Sequence, residues 1–76
     1  PFNPSTTINF SIPNYNKVSI NVYDIHGRFV ENLVDSYYNP GSHLITWDAS
    51  ENVSGVYFIK IQSGNFIQAK KVMLAK

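Results

Sequence analysis

Any chemistry in this chain has to be built from a short roster of titratable side chains. His26 and His43 are the only histidines, and both fall at strand or turn edges. Asp24 lies close to His26 in sequence, but no third group at ligand spacing completes a metal or acid–base site. The remaining carboxylates, Glu31, Asp35, Asp48 and Glu51, are scattered. Asp48 and Glu51 could contribute to a calcium loop, yet Ca²⁺ takes about six to eight oxygens and no repeated Asp/Asn pattern supplies them. Asp48 is expected instead to accept backbone N–H bonds that shape the turn after Trp47. No serine sits in a nucleophile elbow, and no glycine-rich loop precedes a helix. The sequence therefore assigns no catalytic residue, no cofactor-binding residue and no metal ligand, and a non-enzymatic role is expected.

Binding chemistry has two sources. Tyr15, Tyr37, Tyr38 and Phe66 lie near turns and could form a sugar-stacking platform, although they share no obvious face in the sequence. Lys70, Lys71 and Lys76 place three of the six basic residues within the last seven positions. They read either as a recognition handle or as a guard that stops an edge strand from pairing with other molecules. Asn52-Val53-Ser54 matches a glycosylation sequon, which matters chiefly in a eukaryotic secretory route.

The elements that position these groups are β-strands. Trp47, a polar loop and Gly55 opening the run to Ile61 read as a sandwich corner, with residues 56–61 as a central strand. Residues 6–12 alternate, with Ile8, Phe10 and Ile12 on one face; residues 17–23 alternate again, with Val18, Ile20 and Val22 inward. Pro13-Asn14-Tyr15-Asn16 is a turn. Residues 24–28 form a tight connection in which Gly27 sits where positive φ is needed. Residues 29–34 read as a strand of unclear parity: Val30 and Leu33 share a face only across a bulge, and a short helical turn is the alternative. Residues 35–42 are expected to form a loop around Asn39-Pro40-Gly41, and residues 43–47 a short strand with Ile45 and Trp47 on the core side. Ser63-Gly64-Asn65 is a hairpin turn, and residues 66–74 close the chain as a strand bulged near Lys70 and Lys71. About six or seven short strands without a helical period indicate an all-β, small immunoglobulin-like antiparallel sandwich.

Size and composition agree. Seventy-six residues make one domain, 1–76, with a single modest core. A hydrophobic fraction of 43% marks a folded chain. The absence of cysteine leaves packing to stabilise it. A net charge of +1 creates no global attraction to nucleic acid or anionic lipid. No apolar run approaches the ~20 residues of a membrane-inserted helix, and no signal peptide is recognisable. A chain that begins at Pro1 without a methionine is expected to be a piece of a longer protein.

Set in order, these segments resemble a known family. Phe2-Asn3-Pro4-Ser5-Thr6-Thr7 through Pro13 is similar to the opening of the type A C-terminal sorting domain of the type IX secretion system. Residues 18–24 resemble its second strand, and Gly27-Arg28 the turn that follows. Pro40-Gly41-Ser42-His43, Trp47-Asp48 and Ser54-Gly55-Val56-Tyr57 resemble its middle motifs, and residues 70–76 its basic, apolar ending. The middle motifs also resemble the immunoglobulin-like domain of flagellar hook-capping proteins. Ala49-Ser50 departs from the glycine often found after Trp-Asp.

The resemblance implies an address label. Its partners would be the outer-membrane translocation machinery, a sortase-like peptidase and the upstream cargo domain, with export through the periplasm to the cell surface or extracellular space. It points to Gly27, Arg28, Lys70, Lys71 and Lys76 as recognition candidates. A structural spacer, or a carbohydrate- or surface-binding accessory module of a multidomain enzyme, is the competing reading. Clustering of Tyr15, Tyr37 and Tyr38 would favour the carbohydrate module.

Overall fold

The computed structural model describes residues 4–75. Among them the chain forms six strands: β1 (Ser5–Ile12), β2 (Asn16–Asp24), β3 (Phe29–Tyr38), β4 (Gly41–Asp48), β5 (Gly55–Ser63) and β6 (Phe66–Leu74). They make two antiparallel sheets, one of four strands in the order β3-β2-β5-β6 and one of two strands, β1-β4. The architecture is the all-β sandwich that the alternation of apolar and polar residues requires. Consecutive strands run up and down, so the outer ends of β1 and β6 lie at one pole with the β2–β3 turn and the β4–β5 loop. The other pole carries the turns after β1, β3 and β5.

Period-two patterning fixes which face of each strand is buried. Ile8, Phe10 and Ile12 of β1 and Val18, Ile20 and Val22 of β2 all face the core. Tyr57, Ile59 and Ile61 of β5 join them, and Val18, Ile20, Val22, Ile59 and Ile61 are wholly buried. β5 is internal to its sheet, as the run after Gly55 suggested. Trp47 is wholly buried at the lower end of β4, where its ring meets that of Tyr57 edge to face at 5.3 Å. Its indole N–H donates to Glu31 Oε1 of β3 across the sheets at 3.2 Å.

The structure resolves the ambiguity in β3 and changes three boundaries. The residues around Val30 and Leu33 are extended, not helical. The register with β2 shifts twice, between Ile20 and Asn21 and between Val22 and Tyr23, which leaves Leu33 and Val30 as the extra residues of two bulges. Both side chains thereby turn onto the core. The Asn32 amide donates to the Val34 carbonyl at 3.0 Å and to Asn21 Oδ1 at 2.8 Å, satisfying groups at the first irregularity. β3 does not end at residue 34 but runs to Tyr38, because the start of β2 offers it a partner: Asn16 pairs with Tyr38 and Lys17 with Tyr37. The expected loop over residues 35–42 shrinks to Asn39 and Pro40. Likewise β4 begins at Gly41, two residues earlier than residue 43. β6 carries no bulge near Lys70 and Lys71, since its pairing with β5 is continuous from Leu74 opposite Gly55 to Phe66 opposite Ser63. The extended lead-in expected over residues 1–3 lies outside the described residues.

Candidate recognition surface

The β2–β3 turn is built around one carboxylate. Asp24 Oδ1 accepts the backbone N–H groups of His26 and Arg28, each at 2.9 Å, and Oδ2 accepts Arg28 Nε at 2.9 Å. Gly27 adopts φ +80°, the left-handed conformation that the sequence required there, and its N–H closes the turn on the Asp24 carbonyl at 2.9 Å. The Arg28 N–H, then that of His26 and the Arg28 guanidinium, hold the Asp24 carboxyl below its ordinary value against the opposing effect of desolvation. Arg28 is tethered at one nitrogen, yet its side chain remains three-quarters exposed. Gly27 therefore shapes the turn, while Arg28 is displayed by it.

A groove of about 210 Å³ separates this turn from the β4–β5 loop, with Asp24, His26 and Arg28 on one side and Val53, Ser54 and Val56 on the other. The loop is held by its own bonds. Asp48 Oδ1 accepts the Ser50 N–H at 3.0 Å, the role expected of Asp48, and the Tyr57 hydroxyl donates to the Val53 carbonyl at 2.6 Å.

Strand alternation sends the adjacent lysines to opposite faces. Lys70 points between the sheets, where its ammonium donates to the Asn9 carbonyl of β1 at 2.7 Å and bridges β6 to β1. Lys71 points outward, directly opposite Phe58, and is exposed. β6 is an edge strand, so both lysines also stand where positive charge discourages unwanted pairing. Lys76 lies outside the described residues. The four described candidates thus do not converge on one pocket: Gly27 and Arg28 occupy a turn at one edge of the four-stranded sheet, and Lys70 and Lys71 its other edge.

His43 is structural. Its Nε2 lies 2.7 Å from the Asn39 carbonyl, and its ring packs against Phe10 at 5.4 Å and Tyr38 at 4.8 Å. No three His, Asp or Glu side chains come together as a metal site among the described residues. The turn aromatics divide: Tyr15 and Tyr37 stack at 5.4 Å and are both about three-fifths exposed, whereas Tyr38 turns inward against Phe10. Tyr15, Tyr37 and Tyr38 therefore do not form one patch.

Two features escaped the sequence reading. One is Glu31, whose inward position follows only from the bulges of β3. The other is a set of outward aromatics, Tyr23, Phe29 and Phe58, on the open face of the larger sheet. Their signal was parity, since each stands at a position that alternation assigns to solvent. A family model described as a secretion system C-terminal sorting domain matches residues 1–75. No curated protein and no solved structure matches the chain.

Proposed function

This chain belongs to the family of type IX secretion-system C-terminal sorting domains, and on that premise we propose that it is a non-catalytic address label that directs a secreted cargo through that system. In this reading residues 1–76 form one unit behind an upstream cargo domain. The export machinery of the outer membrane recognises the folded sandwich, a sortase-like peptidase processes it, and the cargo reaches the cell surface or the extracellular space. The observation that carries the reading is the family match over residues 1–75. The structure supports it in kind: a small sandwich built on one buried core offers its outer surfaces for protein recognition. Gly27 acts by presenting Arg28, and Arg28, Lys71, Lys70 and Lys76 are the cations proposed to meet the machinery.

Transplantation tests this reading. Residues 1–76 are fused to the C-terminus of a periplasmic reporter in a strain with a working type IX system, beside a fusion to an unrelated sandwich domain. Surface delivery of the first and periplasmic retention of the second is the expected result; retention of both overturns the sorting role. Deleting residues 70–76 is a poor control, because it removes Leu74 from the core, where it is 1% exposed. Substituting Arg28 and Lys71 is cleaner.

A further inference from the structure

The outward face of the four-stranded sheet is open, and at the end next to the β2–β3 turn its side chains are not those of a solvated face. Antiparallel sheets packed on one side normally turn polar residues to the other. Here the register sets Phe29 opposite Tyr23, Tyr23 opposite Phe58, and Phe58 opposite Lys71, one row across all four strands. The Tyr23 and Phe29 rings meet edge to face at 6.1 Å. Phe29 is 60% exposed, Phe58 36%, and Met73, the next outward residue after Lys71, 49%. At ~4.8 Å per strand the row runs roughly 14 Å. Apolar rings left in water contribute little to folding, whereas clustered aromatics of this kind dominate the energetics of interfaces.

Charge selects the occupant. The outward carboxylate on this face, Asp35, is held by Lys17 at 3.3 Å, and Glu31 points the other way, to Trp47. Lys60 and Lys71 stand diagonally across the ladder of β5 and β6, a spacing of about 7–8 Å, and neither joins an ion pair among the described residues. The face is therefore apolar along the row next to the β2–β3 turn, polar beyond it at Asn21 and Asn32, and cationic toward β6. A second copy would offer Lys60 and Lys71 no free carboxylate from the same face, since Asp35 is already held by Lys17, which disfavours self-association. A sheet face about 30 Å long and 15 Å wide also falls short of the ~800 Å² that each partner contributes to a stable complex, and suits a transient encounter.

We propose that this face docks the export machinery through a protein surface that combines apolar side chains with carboxylates, the aromatic row providing the contact and Lys60 and Lys71 its charge complement. The proposal rests on the sorting reading and assigns it a surface. Because the row lies outside the core, it can be altered without disturbing the fold.

The test uses the reporter fusion, which carries no natural upstream domain and so isolates recognition from cargo docking. Two double variants, Phe29→Thr with Phe58→Thr and Lys60→Glu with Lys71→Glu, are compared with the unaltered fusion, and purified domains are melted to verify folding. Each variant is expected to melt within a few degrees of the parent, the shift usual for surface substitutions, and to lose surface display by roughly tenfold or more, as hot-spot removal does. Unchanged display of either folded pair overturns the proposal while leaving sorting intact. Failure of the unaltered fusion to reach the surface overturns the sorting reading itself.

Discussion

Replacing Glu31 by alanine should destabilise the domain although Glu31 is only partly buried. Its carboxylate accepts the indole N–H of Trp47, and Trp47 has no exposed surface. Removing an acceptor from a buried donor costs about 1–3 kcal/mol. The 3.2 Å separation sits at the long end of the normal range, which places the expected loss near ~1–1.5 kcal/mol. For a domain of this size that corresponds to a fall in Tm of about 4–12 °C. Glu31→Gln keeps an acceptor oxygen and should lose less than half as much, because only the charge assistance disappears. Trp47 is the only tryptophan, so urea unfolding followed by its fluorescence reports on the site directly. A double-mutant cycle with Trp47→Phe, followed by far-UV circular dichroism, should return a coupling of roughly 1 kcal/mol. If Glu31→Ala unfolds within ~0.3 kcal/mol of the parent, below what a lost buried bond costs, the bond does not link β3 to β4 and the reasoning is refuted.

Three other outcomes follow from the geometry. Asp24 has a folded pKa below its ordinary value, so the unfolded chain binds its proton first as pH falls; the stability it confers is full above the unfolded value and lost as pH drops through the folded pKa. Acid unfolding of Asp24→Asn should therefore show a flatter pH dependence below pH ~4 than the parent, and an unchanged slope would remove Asp24 from the account. Lys70→Met should cost about 0.5–1.5 kcal/mol for its lost cross-sheet bond, while Lys71→Met stays within about 0.5 kcal/mol; equal effects in chemical denaturation would contradict their opposite orientations. Gly64→Ala should lose about 1–2 kcal/mol, since φ is +58° and a Cβ there would lie 2.7 Å from Asn16 Nδ2. Adding Asn16→Ala should recover only the steric part, a partition readable in the same denaturation assay.

How legible this was in the sequence depended on periodicity. β1, β2 and β5 alternate cleanly, so their inward residues could be named from spacing alone, and Gly27 declared its turn because little else tolerates its backbone. β3 was opaque for a physical reason. Two bulges reset its parity, and a bulge is a property of the pair of strands, invisible in either one. Its extension to Tyr38 was hidden by the polar residues Asp35 and Ser36, whose place is fixed by pairing with β2 rather than by burial. The candidate cations were visible as residue types, but their division was not. The β6 register decides which lysine faces Asn9 and which faces solvent, and the bulge expected there would have altered it. The outward aromatics were legible in principle, as apolar residues out of phase with the core.

The shared pole of the two outer strand ends has a mechanical consequence. Ser5 begins β1 and Leu74 ends β6 at the same side of the sandwich. A tension drawn between those points does not shear the ladders lengthwise, which would strain all their rungs together. It peels β1 from β4 starting at the pair Ser5 and Asp48, and β6 from β5 starting at Leu74 and Gly55, one rung after another. The domain is therefore expected to open under a gentle pull at its ends while resisting a pull applied across its two poles.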